Sequence, residues 1–378
     1  MLKSLKIENF RCFQNFELQQ LGRINLLAGE NNSGKTSILE AIYLLTDKNN
    51  LESLAEIMLS RGECVLSNDG VGELDIRHLF YSHEVDISSS FSISSSDITS
   101  ITLSVKRPSK RITGYPSEIK KYLESTDLEN LPELQGLILD IKWLGRKNIA
   151  LPLSLKKSLP LDYTKYINRS LENLEARTQF VTSSSLTMPK MTDLFDQVVL
   201  TADEDLVTEA LQIIEPNVER IAIISSEKSR HDGSQRHDGS QRYDGLRSGF
   251  VVRLADSKQR IPIGSMGDGM WRMLGLTLAM VNARNGVLLV DEIDTGLHFS
   301  TMSDMWKLIW ETAKRLNVQV FATTHSDDCW KSLDAIANLD NPSEDGIMIH
   351  RIEKGKSHSI AFTEPEIAIA AKRRIEVR

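Results

Sequence analysis

The 378-residue sequence has little cysteine, no long apolar run and no excess of positive charge. Its three cysteines, Cys12, Cys64 and Cys329, lie far apart without CxxC or CxxH spacing, which argues against a disulfide framework and a zinc site. It contains neither a secretory signal pattern nor a run of ~18 apolar residues, so we expect a cytoplasmic protein without a membrane span. The formal net charge of -7 gives nucleic-acid binding no support from composition.

The apolar residues that are present make up 40% of the chain and are enough for a substantial core. In the first third they predict strands in residues 2–16 and 23–28, and their helical spacing predicts a helix at 37–45. Alternation at 91–93 and 101–105 predicts an antiparallel strand region between about residues 72 and 107.

In the last third, predicted helices and strands alternate as they do in βα units. Helices are predicted at 269–283 and 301–315, and apolar strands at 286–290 and 318–323, which indicates a mostly parallel sheet. Between these parts, the patterns at 128–139 and 194–214 favour a mostly helical insertion over residues 116–217. We therefore divide the chain into an N-terminal lobe (1–115), the insertion (116–217) and a C-terminal lobe (218–378).

The segment 231–245 contains a tandem six-residue repeat, DGSQRH-DGSQRY-DG. Its low apolar content predicts a mobile loop between strands at 221–225 and 249–255. The alternative is a basic finger for a polyanion, since an arginine recurs at positions 230, 236, 242 and 247. The aspartates at 232, 238 and 244 neutralise much of that charge.

The strongest motif fits GxxxxGK[ST] and lies between a predicted strand and a predicted helix. In this pattern, backbone N–H groups of the loop surround a phosphate, Lys35 reaches the β and γ phosphates, and the Thr36 hydroxyl can ligate Mg²⁺. The predicted nucleotide-binding residues of this segment are Gly29, Asn31, Asn32, Ser33, Gly34, Lys35, Thr36 and Ser37.

A second motif is the apolar run at 287–290 followed by Asp291 and Glu292. Such a run is typical of a buried parallel strand, whose carboxyl end is where α/β sheets bind ligands. We expect Asp291 to hold Mg²⁺ and Glu292 to polarise the attacking water.

Two further segments are candidates for contacts with phosphate. His325 follows the next apolar strand, whose end should lie beside the phosphate loop, so we expect it to contact the γ-phosphate. Ser265 and Gly267 precede a helix N-terminus, which can bind an anion; a plain capping loop is the alternative interpretation.

In their order and joint spacing these segments resemble ABC-type ATPases of the SMC/RecF/OLD group, most closely the stand-alone OLD-like ATPases classed as AAA15 or AAA21 proteins. The resemblance extends over nearly the whole chain, including the opening IENFRCF. It implies a P-loop α/β fold, ATP rather than GTP as nucleotide, and a homodimer.

The resemblance also implies roles for particular residues. Ser265 and its neighbours would contact the γ-phosphate held by the other subunit, residues 294–298 would form the dimer-contacting D-loop, His325 would be the switch histidine, and Arg11 would approach the nucleotide. The Q-loop glutamine of the group has no counterpart, since residues 48–100 contain no Gln, and His83 is a weak substitute. The Toprim nuclease domain of OLD proteins has no counterpart either, so we expect no DNA cleavage by this chain.

The sequence therefore predicts an ATP-binding and ATP-hydrolysing dimeric switch or motor with ATP and Mg²⁺ as cofactors. Family analogy suggests DNA maintenance or antiviral defence as its setting. Two alternatives remain open: a DNA-binding clamp that ATP hydrolysis resets, and a regulatory scaffold for a separate effector protein.

Overall fold

The computed structural model describes residues 1–47, 51–66, 72–96, 99–107, 137–144, 148–154, 156–161, 178–224, 249–257, 259–337, 345–373 and 376–377. The strands are, in chain order, β1 (Leu5–Phe10), β2 (Phe13–Leu18), β3 (Ile24–Ala28), β4 (Cys64–Leu66), β5 (Gly72–Leu74), β6 (Ser90–Ser95), β7 (Thr99–Lys106), β8 (Ile138–Trp143), β9 (Ile149–Pro152), β10 (Leu159–Pro160), β11 (Thr178–Val181), β12 (Val218–Ile224), β13 (Gly249–Leu254), β14 (Arg260–Pro262), β15 (Val287–Val290), β16 (Gln319–Thr324), β17 (Ile347–Arg351) and β18 (Ile360–Phe362).

The α-helices are α1 (Lys35–Thr46), α2 (Glu52–Ser60), α3 (Met188–Asp196), α4 (Glu204–Gln212), α5 (Asp268–Asn282), α6 (Phe299–Leu316), α7 (Asp327–Ser332), α8 (Asp334–Ala337) and α9 (Glu364–Arg373). Short 3₁₀ turns lie at Ile76–Leu79, Tyr81–His83 and Ile263–Met266. Within the described ranges, no helix combines the length and apolar composition needed to cross a membrane.

The central sheet has six strands in the order β11-β15-β16-β3-β17-β18. The first five run parallel, and only β18 is antiparallel to its neighbour. Its strands are apolar on both faces because each face is covered. In β15, for example, Leu288 packs into one hydrophobic cluster and Leu289 into the other. The carboxyl ends of β3, β15 and β16 therefore meet at one edge.

The N-terminal part adds a second layer. Strands β2-β1-β6-β7-β8-β9 form an antiparallel sheet, and α1 lies between it and the central sheet. Nine residues of α1 are buried, including the apolar Ile38, Leu39 and Ile42, because both sides of the helix are covered. On the other face of the central sheet, α5 packs with α3 and α4, and its Trp271 ring contacts Phe250 of the three-stranded sheet β12-β13-β14.

The predicted strands and helices of the first and last thirds are confirmed, with ends shifted by at most three residues. The strands predicted at 2–16 belong to the antiparallel sheet, whereas the strand predicted at 23–28 belongs to the central sheet. The flanking strands of the repeat segment are present as β12 and β13, paired antiparallel, while the repeat itself lies outside the described residues.

The prediction of a mostly helical insertion is wrong for much of the described part of residues 116–217. Residues 128–136 of the predicted helix at 128–139 lie outside the described residues, and its last two residues, Ile138 and Leu139, belong to β8, which with β9 extends the antiparallel sheet. Further along, β11 is an edge strand of the central sheet. Only 194–214 is mainly helical, as parts of α3 and α4 separated by a turn. The domain boundaries at 115 and 217 stay predictions.

Candidate active site

The loop between β3 and α1 can take its path only with glycine at two positions. Gly34 has φ 99° and Gly29 φ 152°. A Cβ on Gly34 would lie 2.5 Å from the Phe13 ring, and one on Gly29 would lie 2.4 Å from the Ile352 carbonyl oxygen. Any other residue would displace the loop from the position where its backbone N–H groups can surround a phosphate.

Two side chains of this loop offer donors to an anion. Lys35 Nζ donates to the carbonyls of Gly29 at 2.8 Å and Glu30 at 2.7 Å, which holds the ammonium over the loop. Burial lowers the pKa of Lys35, while the charges of Asp291 and Glu292 act in the opposite direction. The buried Ser33 hydroxyl makes no hydrogen bond within the described residues. The loop thus has the shape and the donors that a phosphate group requires.

Asp291, at the end of β15, lies between the phosphate loop and the end of β16. The Thr36 hydroxyl is 3.1 Å from each carboxylate oxygen of Asp291, and the Thr323 hydroxyl donates to Oδ1 at 2.6 Å. The parallel pairing of β15 with β16 and of β16 with β3 produces this convergence.

Glu292 is held in an uncommon backbone conformation. Its φ of 50° lies in the left-handed region, which a residue with a side chain rarely adopts. Its N–H donates to the Thr323 hydroxyl at 2.8 Å, and its carboxylate accepts a hydrogen bond from the Thr295 hydroxyl at 3.2 Å. Strained residues of this kind persist where surrounding contacts fix them, often at functional sites.

These groups line one cleft of about 360 Å³, a volume suited to a nucleotide. The predicted residues that the structure brings together in its wall are Arg11, Asn31, Asn32, Ser33, Gly34, Lys35, Thr36, Ser37, Asp291, Glu292 and His325. Gly29 shapes the loop from behind. His83, the weak substitute for the missing glutamine, also lines the cleft. Cys12, Arg61, Glu63 and Thr323 line it as well, and no site role was predicted for them.

Arg11 belongs to a buried ion-pair cluster behind the phosphate loop. Its Nε donates to Glu40 at 3.0 Å, and its Nη1 donates to Glu63 and to the carbonyl of His78. Arg61 donates to the other oxygen of Glu40 at 2.5 Å. Burial raises the pKa of Glu40, and the two arginines oppose that rise. Only Nη2 of Arg11, buried and without a hydrogen-bond partner among the described residues, is left for a ligand.

Ser265 and Gly267 lie outside the cleft of their own chain. Both are exposed, in the segment that leads into α5. The first turn of α5 packs closely on residues 294–298: a Cβ on Gly269 would lie 3.0 Å from the Gly296 carbonyl oxygen. The structure therefore brings the segment of Ser265 and Gly267 close to residues 294–298, the turn that follows Glu292.

The residues at the cleft also fit Mg²⁺. Among the described residues no group of three or more His, Cys, Asp or Glu side chains could hold a metal, but Mg²⁺ bound with a nucleotide needs few protein ligands. The Thr36 hydroxyl and the Asp291 carboxylate supply oxygen ligands beside the phosphate loop. This pair would hold the ion together with phosphate and water oxygens.

Comparison with known proteins agrees with this geometry. The sequence profile of one family, described as "AAA domain, putative AbiEii toxin, Type IV TA system", matches residues 24–328, and the chain therefore belongs to that family. It is an ABC-type ATPase of the SMC/RecF group, with the P-loop α/β fold of that class.

Individual relatives are distant. A Helicobacter pylori protein named ATP/GTP phosphatase is 23% identical over 352 residues, which cover 89% of this chain and 88% of the relative. The Clostridioides difficile DNA replication and repair protein RecF is 49% identical over 45 residues, 12% of each chain. Among solved structures, an SMC head bound to the C-winged helix domain of ScpA gives a TM-score of 0.47 at 12% identity, over 96% of this chain and 98% of that one.

Proposed function

We propose that the chain binds ATP in the cleft and hydrolyses it with Glu292 as the residue that activates water. The observation that carries this proposal is the convergence of three strand ends: Asp291 contacts Thr36 and Thr323, and Glu292 follows directly in the same cleft as Lys35. General ATP hydrolysis agrees with the family to which the chain belongs.

Each residue has a separate task in this mechanism. The loop N–H groups and Lys35 bind and orient the β and γ phosphates, and His325 contacts the γ-phosphate. Mg²⁺, held by Thr36 and Asp291, would neutralise phosphate charge. Glu292 accepts a proton from the attacking water, for which the contact with Thr295 orients its carboxylate.

We further propose that a second copy of the chain completes the site. Ser265 and Gly267 are exposed and outside their own cleft, so they are available to a γ-phosphate held by a partner. The adjoining turn at 294–298 would lie in the same contact. Nucleotide-driven closing and opening of this dimer would then serve as a switch or motor, in the DNA maintenance or anti-phage setting that the OLD-like resemblance suggests, with a separate effector protein as partner.

Two substitutions separate binding from hydrolysis. Glu292→Gln should bind ATP as tightly as wild type and lose about 10²–10⁴-fold in turnover, since only the proton acceptor is removed. Lys35→Ala should lose binding instead, because it removes the cation that contacts the phosphates. Fluorescent-nucleotide titration and steady-state phosphate release measure the two quantities. Equal turnover in Glu292→Gln and wild type would refute the role of Glu292.

Light scattering of Glu292→Gln with and without ATP tests the dimer. ATP should convert monomer to dimer, and Ser265→Arg in the same background should abolish that conversion while binding persists. A monomer under both conditions in the Glu292→Gln protein would refute the composite site.

One observation favours a second candidate function, binding of a nucleic-acid backbone. Arg220, Arg253 and Arg260 are exposed and lie directly opposite one another across β12, β13 and β14. Opposed like charges on a sheet are destabilising, and only Arg253 has an ion-pair partner, Glu219 at 2.8 Å, among the described residues. Replacing all three by Gln should weaken DNA binding and flatten its salt dependence by a slope of about 3. Unchanged DNA affinity would remove this candidate.

A further inference from the structure

Arg272 is a charged side chain inside the protein, and among the described residues its hydrogen bonds go to backbone carbonyls. It lies in the second turn of α5 and is 3% exposed. Its Nη1 donates to the Thr182 carbonyl at 2.5 Å, and its Nη2 donates to the carbonyls of Asp291 at 2.6 Å and Glu292 at 2.9 Å. One guanidinium thus joins the ends of β11 and β15 to α5.

The environment of this arginine explains why it stays charged. Burial lowers the pKa of Arg272, and the nearby carboxylates of Asp291, Asp294 and Glu292 oppose that change. The three carbonyl dipoles solvate the charge in place of water. A lysine presents its donors from one point and cannot match the planar fork.

The contacts fix the backbone of Glu292 on both sides. The Thr323 hydroxyl accepts a hydrogen bond from the Glu292 N–H, and Arg272 donates to the Glu292 carbonyl. Since the φ of Glu292 is 50°, this residue would relax to a commoner conformation without such restraint, and its carboxylate would then point elsewhere.

Arg272 also joins Glu292 to the exposed segment at the start of α5. Ser265 and Gly267 precede the helix, and the first turn packs on residues 294–298. A rigid helix carries a displacement of its first turn to Arg272, which lies four residues after Asp268, the first residue of α5.

We propose that Arg272 is a positioning residue for hydrolysis: it holds Glu292 in its active backbone conformation and transmits contacts made at the start of α5 to that residue. The proposal rests on the proposed role of Glu292 as the residue that activates water. Arg272 itself does not line the cleft.

The test is a double-mutant cycle on the full-length protein. Arg272→Met, Arg272→Lys and the control Arg284→Met are each made in wild-type and in Glu292→Gln backgrounds. Arg284 follows α5 and forms an exposed pair with Asp203, so it is a matched arginine away from the site. Nucleotide Kd, KM and single-turnover hydrolysis rates are measured, with circular dichroism and Tm as checks on folding.

Arg272→Met should lower kcat about 10²-fold, the effect of misplacing a reacting group by about 1 Å, with little change in Kd. In the Glu292→Gln background it should cause no further loss, because both substitutions remove the same contribution. Arg284→Met should match its parent in both backgrounds.

Equal fold losses in the two backgrounds would show a general structural role and overturn the proposal, as would an unchanged kcat. If Arg272→Met does not fold, Arg272→Lys, which keeps the charge and part of the hydrogen bonding, is judged by the same comparison with a smaller expected loss. If Glu292→Gln itself retains wild-type turnover, the proposed function fails first; loss of turnover in Glu292→Gln without coupling to Arg272 refutes only this inference.

Discussion

The two faces of the central sheet each bury an arginine, and they solvate it in different ways. On the α1 face, Arg11 is paired with the carboxylates of Glu40 and Glu63. On the α5 face, Arg272 is bound by three main-chain carbonyls. The first arrangement depends on other side chains being charged, whereas the second depends on the backbone path of two strands.

The kind of partner determines which property each arginine controls. Removing one member of a buried ion pair leaves its partner as an uncompensated charge, so stability suffers most. Removing a guanidinium from carbonyls leaves neutral groups, but it frees the backbone that those carbonyls belong to. We therefore expect Arg11 to govern mainly stability and Arg272 to govern mainly turnover.

The largest effect on stability is expected for Arg11→Met. It leaves Glu40, whose side chain is 2% exposed, with Arg61 alone, and it leaves Glu63 without its arginine. We expect a loss of about 3–5 kcal/mol in the free energy of unfolding. Urea unfolding, with Arg272→Met measured in parallel, gives the comparison.

A second change distinguishes loss of charge balance from loss of packing. Arg11→Met combined with Glu63→Gln should recover part of the lost stability, since the carboxylate that is left without its arginine is removed as well. If Arg272→Met destabilises the protein more than Arg11→Met does, or if the double substitution is additive, the contrast between the two faces is wrong.

A smaller effect is expected at Asp47, the buried carboxyl at the end of α1. It lies among Leu44, Leu54 and Trp143, and burial raises its pKa from 3.8 to about 6. Between about pH 4 and 6 the unfolded chain loses this proton and the folded chain does not, so the stability contributed by the protonated form is lost as pH rises.

Asp47→Asn should therefore stabilise the protein by roughly 1–3 kcal/mol at pH 7 and by almost nothing near pH 4. Unfolding midpoints across this range measure the difference. Asp304→Asn, at an exposed pair with Lys307, is the control and should show no such dependence. A stabilisation that is equal at pH 4 and pH 7 would contradict the burial argument, because it would not follow ionisation.

Sequence reasoning found the parts of the site that are local in the chain. The phosphate loop, the Asp291 and Glu292 pair and His325 each follow an apolar strand, and the parallel order of β3, β16 and β15 brings them together. Arg61 and Glu63 carried no such signal, since they follow α2, which is distant in sequence from every motif. Arg272 looked like one polar residue in an amphipathic helix, because its partners are carbonyls that no sequence pattern displays.

The fold was missed where a short strand could be mistaken for a helix. In β8, Leu139, Ile141 and Trp143 are buried and alternate with polar residues, a period of two that the apolar spacing over 128–139 concealed. The four residues of β11 are too few to show any period, and only pairing with β15 makes them a strand. Both errors arose because tertiary pairing, rather than local preference, decides such segments.

The smallest of the three effects is expected at Thr323, which lies on β16 between the two faces and serves both. Its hydroxyl donates to Asp291 and accepts a hydrogen bond from the N–H of Glu292. Thr323 therefore holds the Glu292 backbone from β16, as Arg272 holds it from the α5 face. Thr323→Val keeps the shape and removes both hydrogen bonds. The Glu292 N–H would then lack its partner, and we expect turnover to fall about tenfold, which is about 1.4 kcal/mol.

Thr323→Ser, which retains the hydroxyl, should stay close to wild type in phosphate-release assays. A loss in Thr323→Val that also appears in Thr323→Ser would point to packing of the β16 strand. A loss confined to Thr323→Val would show that turnover depends on the two hydrogen bonds of the Thr323 hydroxyl, with Asp291 and with the Glu292 N–H.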